Sequence, residues 1–132
     1  MSIAEHDAAI LARLREHPAL AAVVFNGLVP SGRNRYVNVF ASGRASGVER
    51  LDERQIQVNR TYTIHCVSTN PTTAGLLQDQ VHEQLLNFRP VVPGRRSWRL
   101  SHEVSRAAEA DRDVTPPLWY TVDQFDFDTT PA

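Results

Sequence analysis

The chain has 132 residues, of which 42% are hydrophobic and 22% charged, and its formal net charge is −1. These values predict one soluble globular domain, and they argue against disorder and against sequence-independent binding to duplex DNA. All fourteen basic residues are arginine, which excludes chemistry that requires a lysine. No stretch reaches the roughly 20 apolar residues of a membrane span, and the N-terminus does not resemble a secretory signal, so we expect a cytosolic protein.

The first predicted element is a short amphipathic helix that ends before Pro18. Ser2 and Glu5 have the spacing of a capping box at its start. Apolar residues then recur at helical spacing, namely Ile3, Ile10, Leu11 and Leu14. The compact apolar run at 20–25 predicts a buried strand that follows this helix.

A second strand is predicted at 35–41. The tripeptide Ser-Gly-Arg stands on each side of it, at 31–33 and again at 42–44, which predicts two turns that each carry a positive charge. The polar segment 42–55 is longer than an ordinary connection between elements. It therefore predicts a projecting loop or the tip of a long hairpin, and we expect this segment to become ordered only on assembly.

Residues 60–68 alternate between apolar and polar side chains, which predicts a central strand packed on one helical layer. Tyr62, Ile64 and Cys66 form its apolar face. The single cysteine is therefore expected to be a small buried hydrophobic residue. His65 and Cys66 point to opposite faces, so they cannot bind one metal ion together.

Asn70 and Pro71 supply an N-cap and a first-turn proline for a second helix. Its apolar stripe consists of Leu77, Val81, Leu85 and Phe88. Residues 90–104 predict a hairpin with an arginine-rich turn at 93–97, and residues 107–113 predict a polar connection.

The final strand is predicted at 118–128, after the extended entry that Pro116 and Pro117 impose. Both faces of this strand are apolar near its start, with Leu118, Tyr120 and Val122 on one side and Trp119, Phe125 and Phe127 on the other. Because both faces need cover in a small chain, we expect part of that cover to come from another subunit.

The charges are unevenly distributed along the chain. Residues 1–108 contain thirteen arginines and nine acids, a balance of +4, whereas residues 109–132 contain one arginine and six acids, a balance of −5. This pattern fits either a head-to-tail contact between identical copies or a solvated acidic tail.

The sequence predicts no catalytic, cofactor or metal site. None of the five histidines pairs with another ligand at a spacing typical of a metal centre, and the Gly-x-Ser-x-Gly nucleophile motif is missing. Carboxylates do cluster, in the pair Asp52 and Glu53 and in the series Asp123, Asp126 and Asp128. They are expected to be solvated ions at a loop and a strand end.

The cluster of Arg95, Arg96, Trp98 and Arg99 suits either nucleic acid or the carboxylates of a protein partner. The slightly acidic chain favours the protein partner. The predicted protein interface therefore comprises arginine-rich turns and the acidic strand end: Arg33, Arg44, Arg95, Arg96, Trp98, Arg99, Asp123, Asp126 and Asp128.

The order of predicted elements resembles that of the tail terminator (tail completion) proteins of long-tailed bacteriophages. The residues that carry the resemblance are the opening helix at 7–16, the strand at 60–68 with Asn70-Pro71-Thr72 and the helix to Phe88, and the closing segment 116–122. The likeness spans nearly the whole chain, and it consists of the order of the predicted elements and a few short sequence segments.

The resemblance implies an α+β fold, with a twisted, mainly antiparallel sheet of four to six strands and two main helices packed on it. It also implies a hexameric ring in the virion, at the head-tail junction, in contact with the tail tube protein and the head-neck connector. DNA would pass through the lumen without specific binding. Two alternatives stay open: another neck component, such as a head-closure or adaptor protein, and a cytosolic ligand-binding or small enzymatic α+β domain.

Overall fold

The computed structural model describes residues 3–46, 57–114 and 116–131. Its two helices and six strands confirm the predicted α+β class. In chain order they are α1 (Ile3–Arg15), β1 (Val24–Asn26), β2 (Tyr36–Ser46), β3 (Gln57–Ser68), α2 (Pro71–Leu85), β4 (Arg95–Ser97), β5 (Ser101–Asp111) and β6 (Leu118–Pro131).

The six strands form one sheet in the order β1, β2, β3, β6, β4, and β5 lies on the same edge of β6 as β4. Only β1 and β2 pair in parallel, and all other pairs are antiparallel. β3 lies between β2 and β6, with Ile64 opposite Val39 on one side and opposite Asp123 on the other. The prediction of a central strand is confirmed.

Both helices contribute to the core on one face of the sheet, which we call the covered face. Alternate residues of β3 point into this core, and Tyr62, Ile64 and Cys66 are almost fully buried as predicted. The helices supply the other half of the core, through Ile10, Leu14, Leu77, Val81 and Leu85. The hydrophobic pattern of each element therefore closes one side of the sheet.

The second helix begins as predicted. The Asn70 side chain accepts a hydrogen bond of 2.8 Å from the backbone N–H of Thr73, and Pro71 occupies the first turn. The helix ends at Leu85, before Asn87 adopts a left-handed conformation with φ of 62°. Phe88 therefore lies beyond the helix rather than on its stripe, and it packs on the core from the following loop.

The predicted strand at 20–25 is wrong over most of its length. The chain forms helical turns here, with backbone hydrogen bonds from Leu20 to His17 and from Val23 to Leu20, and β1 begins only at Val24. Leu20, Val23 and Val24 are buried at helical spacing while Ala21 and Ala22 are exposed. A short apolar run cannot by itself distinguish a buried strand from helical turns.

The second strand extends to Ser46, beyond its predicted end. Gly43 therefore lies inside a strand and not in a turn, with φ of 117°. A Cβ atom at this position would lie 2.3 Å from the carbonyl oxygen of Asn59, so the β2 and β3 backbones can approach there only at glycine. β2 and β3 pair in antiparallel fashion as far as Ser46 and Gln57, and the rest of the predicted projecting loop or hairpin tip, residues 47–55, lies outside the described residues.

The predicted hairpin at 90–104 is also wrong. The Pro93-Gly94 turn leads into β4, and β4 and β5 then follow the same edge of β6 in the same direction. The chain leaves that edge between them because Leu100 is buried and its N–H donates to the Phe88 carbonyl at 2.9 Å. The predicted polar connection at 107–113 belongs to β5 as far as Asp111.

Candidate functional site

The face of the sheet opposite the helices carries a surface that we call the open face: Phe40, Thr63, His65, Val104, Arg106, Tyr120, Val122 and Gln124. Phe40 is 42% exposed, Arg106 is exposed, and the other six side chains are half-buried. The rings of Phe40 and Tyr120 lie 5.3 and 6.1 Å from the ring of His65, on either side of it. The open face is thus a patch of aromatic, aliphatic and polar side chains across three neighbouring strands and β5.

The alternation along β6 explains how this patch arises. From Thr121 to Thr129 the odd-numbered residues are buried under the helices, and the even-numbered residues are half-buried on the other side. Tyr120 and Val122 were expected on a face that needs cover, and within the described residues no helix covers them. His65 shares this environment, and burial lowers its pKa from the ordinary value.

Four of the predicted interface residues lie together at one end of the sheet. Trp98, Arg99, Asp126 and Asp128 line a single groove where the chain passes from β4 to β5. The backbone N–H of Trp98 donates to the Asp128 carbonyl at 3.1 Å, and the indole is 47% exposed. Arginine, indole and carboxylates are therefore presented side by side, although they belong to segments nearly thirty residues apart.

The remaining predicted arginines are dispersed. Arg95 is bound within its own chain, since it donates to the side-chain and backbone oxygens of Thr129 at 3.2 and 3.0 Å. Arg96 is exposed beside it. The Arg33 guanidinium lies 5.3 Å from the centre of the Phe25 ring at the opposite edge of the sheet. The side chain of Arg44 lies outside the described part of the structure.

Asp123 is not the solvated ion that its sequence context predicts, because its side chain is fully buried on the covered face. Its Oδ1 accepts from His82 Nε2 at 2.8 Å and from His102 Nε2 at 2.9 Å, and its Oδ2 accepts from Gln78 Nε2 at 2.9 Å. Burial alone would raise the pKa of Asp123, but these hydrogen bonds outweigh it and lower the pKa. In this chain Asp123 is therefore an internal anchor and not a surface group.

The structure thus assembles a polar cluster of His82, His102 and Asp123 that the spacing of histidines did not reveal. Its members come from α2, β5 and β6, and each offers one ligand atom within 4.8 Å of the others. Each imidazole is 24% exposed. One sequence signal points to the cluster, because Asp123 is in phase with Phe125 and Phe127 on the buried side of the strand.

A second buried polar group stands under the start of α1. Asp7 accepts hydrogen bonds from the Arg60 guanidinium at 3.1 and 2.9 Å and from the Tyr62 hydroxyl at 2.9 Å. Burial lowers the pKa of Arg60, but its contacts with Asp7 outweigh that effect and raise it. Burial and Asp7 both raise the pKa of Tyr62. This group joins helix and sheet through a charge pair in which the Arg60 side chain is buried and the Asp7 side chain is partly exposed.

Cys66 has the properties of a core residue. It is fully buried, and burial raises the pKa of its thiol to about 12. A nucleophilic cysteine needs a lowered pKa and access to substrate.

Among the described residues, no helix is long and apolar enough to cross a membrane.

No family model and no curated protein matches this chain. Its structure is similar to that of a chain from a solved assembly described as "Virion of native gene transfer agent (GTA) particle". The TM-score is 0.66 and the sequence identity 19%, over 92% of each chain. At this level of identity the likeness shows that the two chains share a fold.

Proposed function

We propose that this protein is a structural component of a phage-like virion that forms a ring at the head-proximal end of the tail tube. The ring ends tube polymerisation and joins the tail to the head-neck connector. The observation that carries this proposal is the shared fold with a chain of a gene transfer agent virion, which extends over 92% of both molecules. The resemblance of the element order to that of tail terminators supports this position within the particle.

The open face supports the part of the proposal that concerns assembly. It combines aromatic, aliphatic and uncharged polar side chains with the exposed Arg106, and aromatic residues and arginine are enriched at protein interfaces. Tyr120 and Phe40 are the side chains best suited to anchor a contact, because aromatic residues dominate interface energetics. We assign this face to a neighbouring copy of the same chain in the ring.

The Trp98 groove supports a second contact. Arg99 stands beside Asp126 and Asp128, so the groove offers both signs of charge to a partner. Arg96 and Arg33 extend the positive surface at two edges of the sheet. We assign the arginines to contacts with the tail tube protein or the connector, while DNA crosses the lumen without specific binding. Salt-insensitive, tight binding of purified protein to duplex DNA would contradict this assignment.

The position in the particle is tested by removing the gene from a producing strain and measuring tails by electron microscopy. A missing terminator leaves tubes that exceed the uniform wild-type length. A missing head-closure or adaptor protein leaves tails of normal length that are not joined to filled heads. Normal particles from the deleted strain would contradict any structural role in the neck.

The ring is tested by native mass spectrometry of the purified chain, for which we expect a hexamer. Val122→Arg places a second positive charge on the open face, opposite Arg106, and it should weaken association at least tenfold. Val91→Arg is the matched control, because Val91 is 81% exposed in the loop between α2 and β4, away from that face. If both variants assemble equally well, the open face is not part of the contact between copies in the ring.

A further inference from the structure

We propose that His82, His102 and Asp123 form a binding site for a first-row divalent metal ion, with zinc as the expected occupant. The site would join α2, β5 and β6 on the covered face. It is independent of the role in the virion, since it depends on the internal contacts of one chain.

The donor set fits this class of metal. Two imidazole nitrogens and one carboxylate oxygen suit zinc, cobalt or nickel, whereas calcium and magnesium need mostly oxygen ligands. The three ligand atoms already lie within 4.8 Å of one another. Three protein ligands leave one position of a tetrahedral site for water, and the partial exposure of both imidazoles leaves solvent access to it.

The two distances from the imidazoles to Asp123 require only a small adjustment. The two Nε2 atoms lie 2.8 and 2.9 Å from the same Oδ1 of Asp123. Ligand atoms around tetrahedral zinc are separated by about 3.3 Å, given metal-ligand bonds of about 2.0 to 2.1 Å. Each contact therefore has to open by roughly half an ångström as the metal replaces the two shared hydrogens. Rotation of two side chains on separate elements can supply this movement.

The surroundings hold the ligands in place. The His102 ring is stacked on Phe125, with centroids 4.5 Å apart and an interplanar angle of 12°. The His82 ring meets the His102 ring edge-on at 5.0 Å. Gln78 donates to the second oxygen of Asp123 and so leaves Oδ1 directed at both imidazoles. Such outer contacts orient metal ligands and strengthen binding.

The test is a titration of the metal-free full-length chain with Zn²⁺, and with Co²⁺ as a spectroscopic probe. We expect one saturable site per chain in the micromolar range, and a visible cobalt spectrum typical of four-coordination. His82→Gln and His102→Gln should each weaken binding by more than about 100-fold, and Gln78→Ala by about tenfold. No saturable binding, or full binding by both histidine variants, would overturn the proposal.

His17→Gln is the matched control, since His17 also contacts a carboxylate, Glu83 at 3.1 Å, but outside the cluster. His17→Gln should bind zinc like the wild type. If it loses as much zinc affinity as the His82 and His102 variants do, the cluster is not the site. Imidazole NMR signals of the wild type give a second readout that needs no substitution. Those of His82 and His102 should shift on zinc addition while that of His17 stays fixed, and any other pattern would contradict the assignment.

Discussion

The covered and open faces are built from the same central strands, yet only the covered face is completed by helices of the same chain. On the covered face, α1 and α2 bury the apolar core, and two carboxylates are paired inside the chain, Asp7 with Arg60 and Asp123 with His82 and His102. On the open face, aromatic and polar side chains stay half-exposed. Alternation along β3 and β6 places these two environments back to back.

The difference separates stability from assembly. A side chain on the covered face contributes through burial that the single chain achieves by itself, so its loss changes the free energy of unfolding. A side chain on the open face is only partly buried in the single chain, and under the proposed assembly it is buried further by a neighbouring copy. Substitutions on opposite faces of one strand should therefore have different consequences, although their positions differ by only a few residues.

The largest effect is expected at Phe125, which is 1% exposed on the covered face. Phe125→Ala leaves a cavity between sheet and helices and should lower the free energy of unfolding by about 3 to 5 kcal/mol. Val122→Ala, on the open side of the same strand, should cost less than about 1 kcal/mol. Urea denaturation of both variants measures the difference, and similar losses would contradict the distinction between the faces.

The next effect concerns the charge pair under α1. Asp7→Ala leaves the Arg60 guanidinium, 9% exposed, without its carboxylate and should destabilise the chain by about 3 kcal/mol. Asp126→Ala is the control on the other face, where the change should stay within about 0.5 kcal/mol. Thermal and urea unfolding compare the two. A small effect at Asp7 would mean that water reaches Arg60 in the folded chain.

The sequence predicted the core of the covered face better than the polar cluster of His82, His102 and Asp123. Tyr62, Ile64 and Cys66 follow a period of two, and Leu77, Val81 and Leu85 follow a helical period, so their burial could be inferred from local pattern. The N-cap at Asn70 could likewise be inferred from the residues next to it. The strand predicted at 20–25 was wrong because a short apolar run is compatible with either a strand or helical turns. The helical turns formed there depend on packing against the rest of the core.

The polar cluster could not be predicted from spacing along the chain. His82, His102 and Asp123 meet only because α2 packs over the edge where β5 joins β6, and pairing between distant strands is a tertiary property. The predicted hairpin at 90–104 failed for the same reason, since Leu100 takes the chain into the core between two strands that follow β6. Trp98 and Arg99 were predicted as a local cluster, but their proximity to Asp126 and Asp128 comes from the sheet.

A smaller effect is expected from Cys66 at high pH. Its thiol has an ordinary pKa of 9.0, and burial raises it to about 12 in the folded chain. The unfolded thiol therefore loses its proton first, so this contribution to stability is present below pH 9 and is lost as the pH rises towards 12. The loss at pH 11 amounts to roughly 2 to 3 kcal/mol.

Cys66→Val removes this contribution, and its urea midpoint should fall less than that of the wild type between pH 8 and pH 11. The buried tyrosine, Tyr62, is present in both proteins, so its own titration cancels in the difference. Identical pH profiles would show that the thiolate is tolerated in the folded core.

The smallest effect on stability, and the most informative for assembly, is expected at His65. Burial on the open face lowers its pKa from 6.5, so the unfolded chain takes up the proton first as the pH falls, and stability decreases below about pH 6.5. Solvent screening keeps this loss below about 0.5 kcal/mol in the single chain. A neighbouring copy on the open face would bury His65 further and so make its protonation less favourable.

Association should therefore weaken between pH 7.5 and pH 5.5 by more than the stability of the single chain does. His65→Gln should flatten this pH dependence, while His17→Gln on the exposed surface between α1 and α2 should leave it unchanged. Sedimentation velocity at both pH values measures the association. If His65→Gln retains the full pH dependence, the open face is not where the copies meet, even if Phe125 and Asp7 behave as expected on the other side of the sheet.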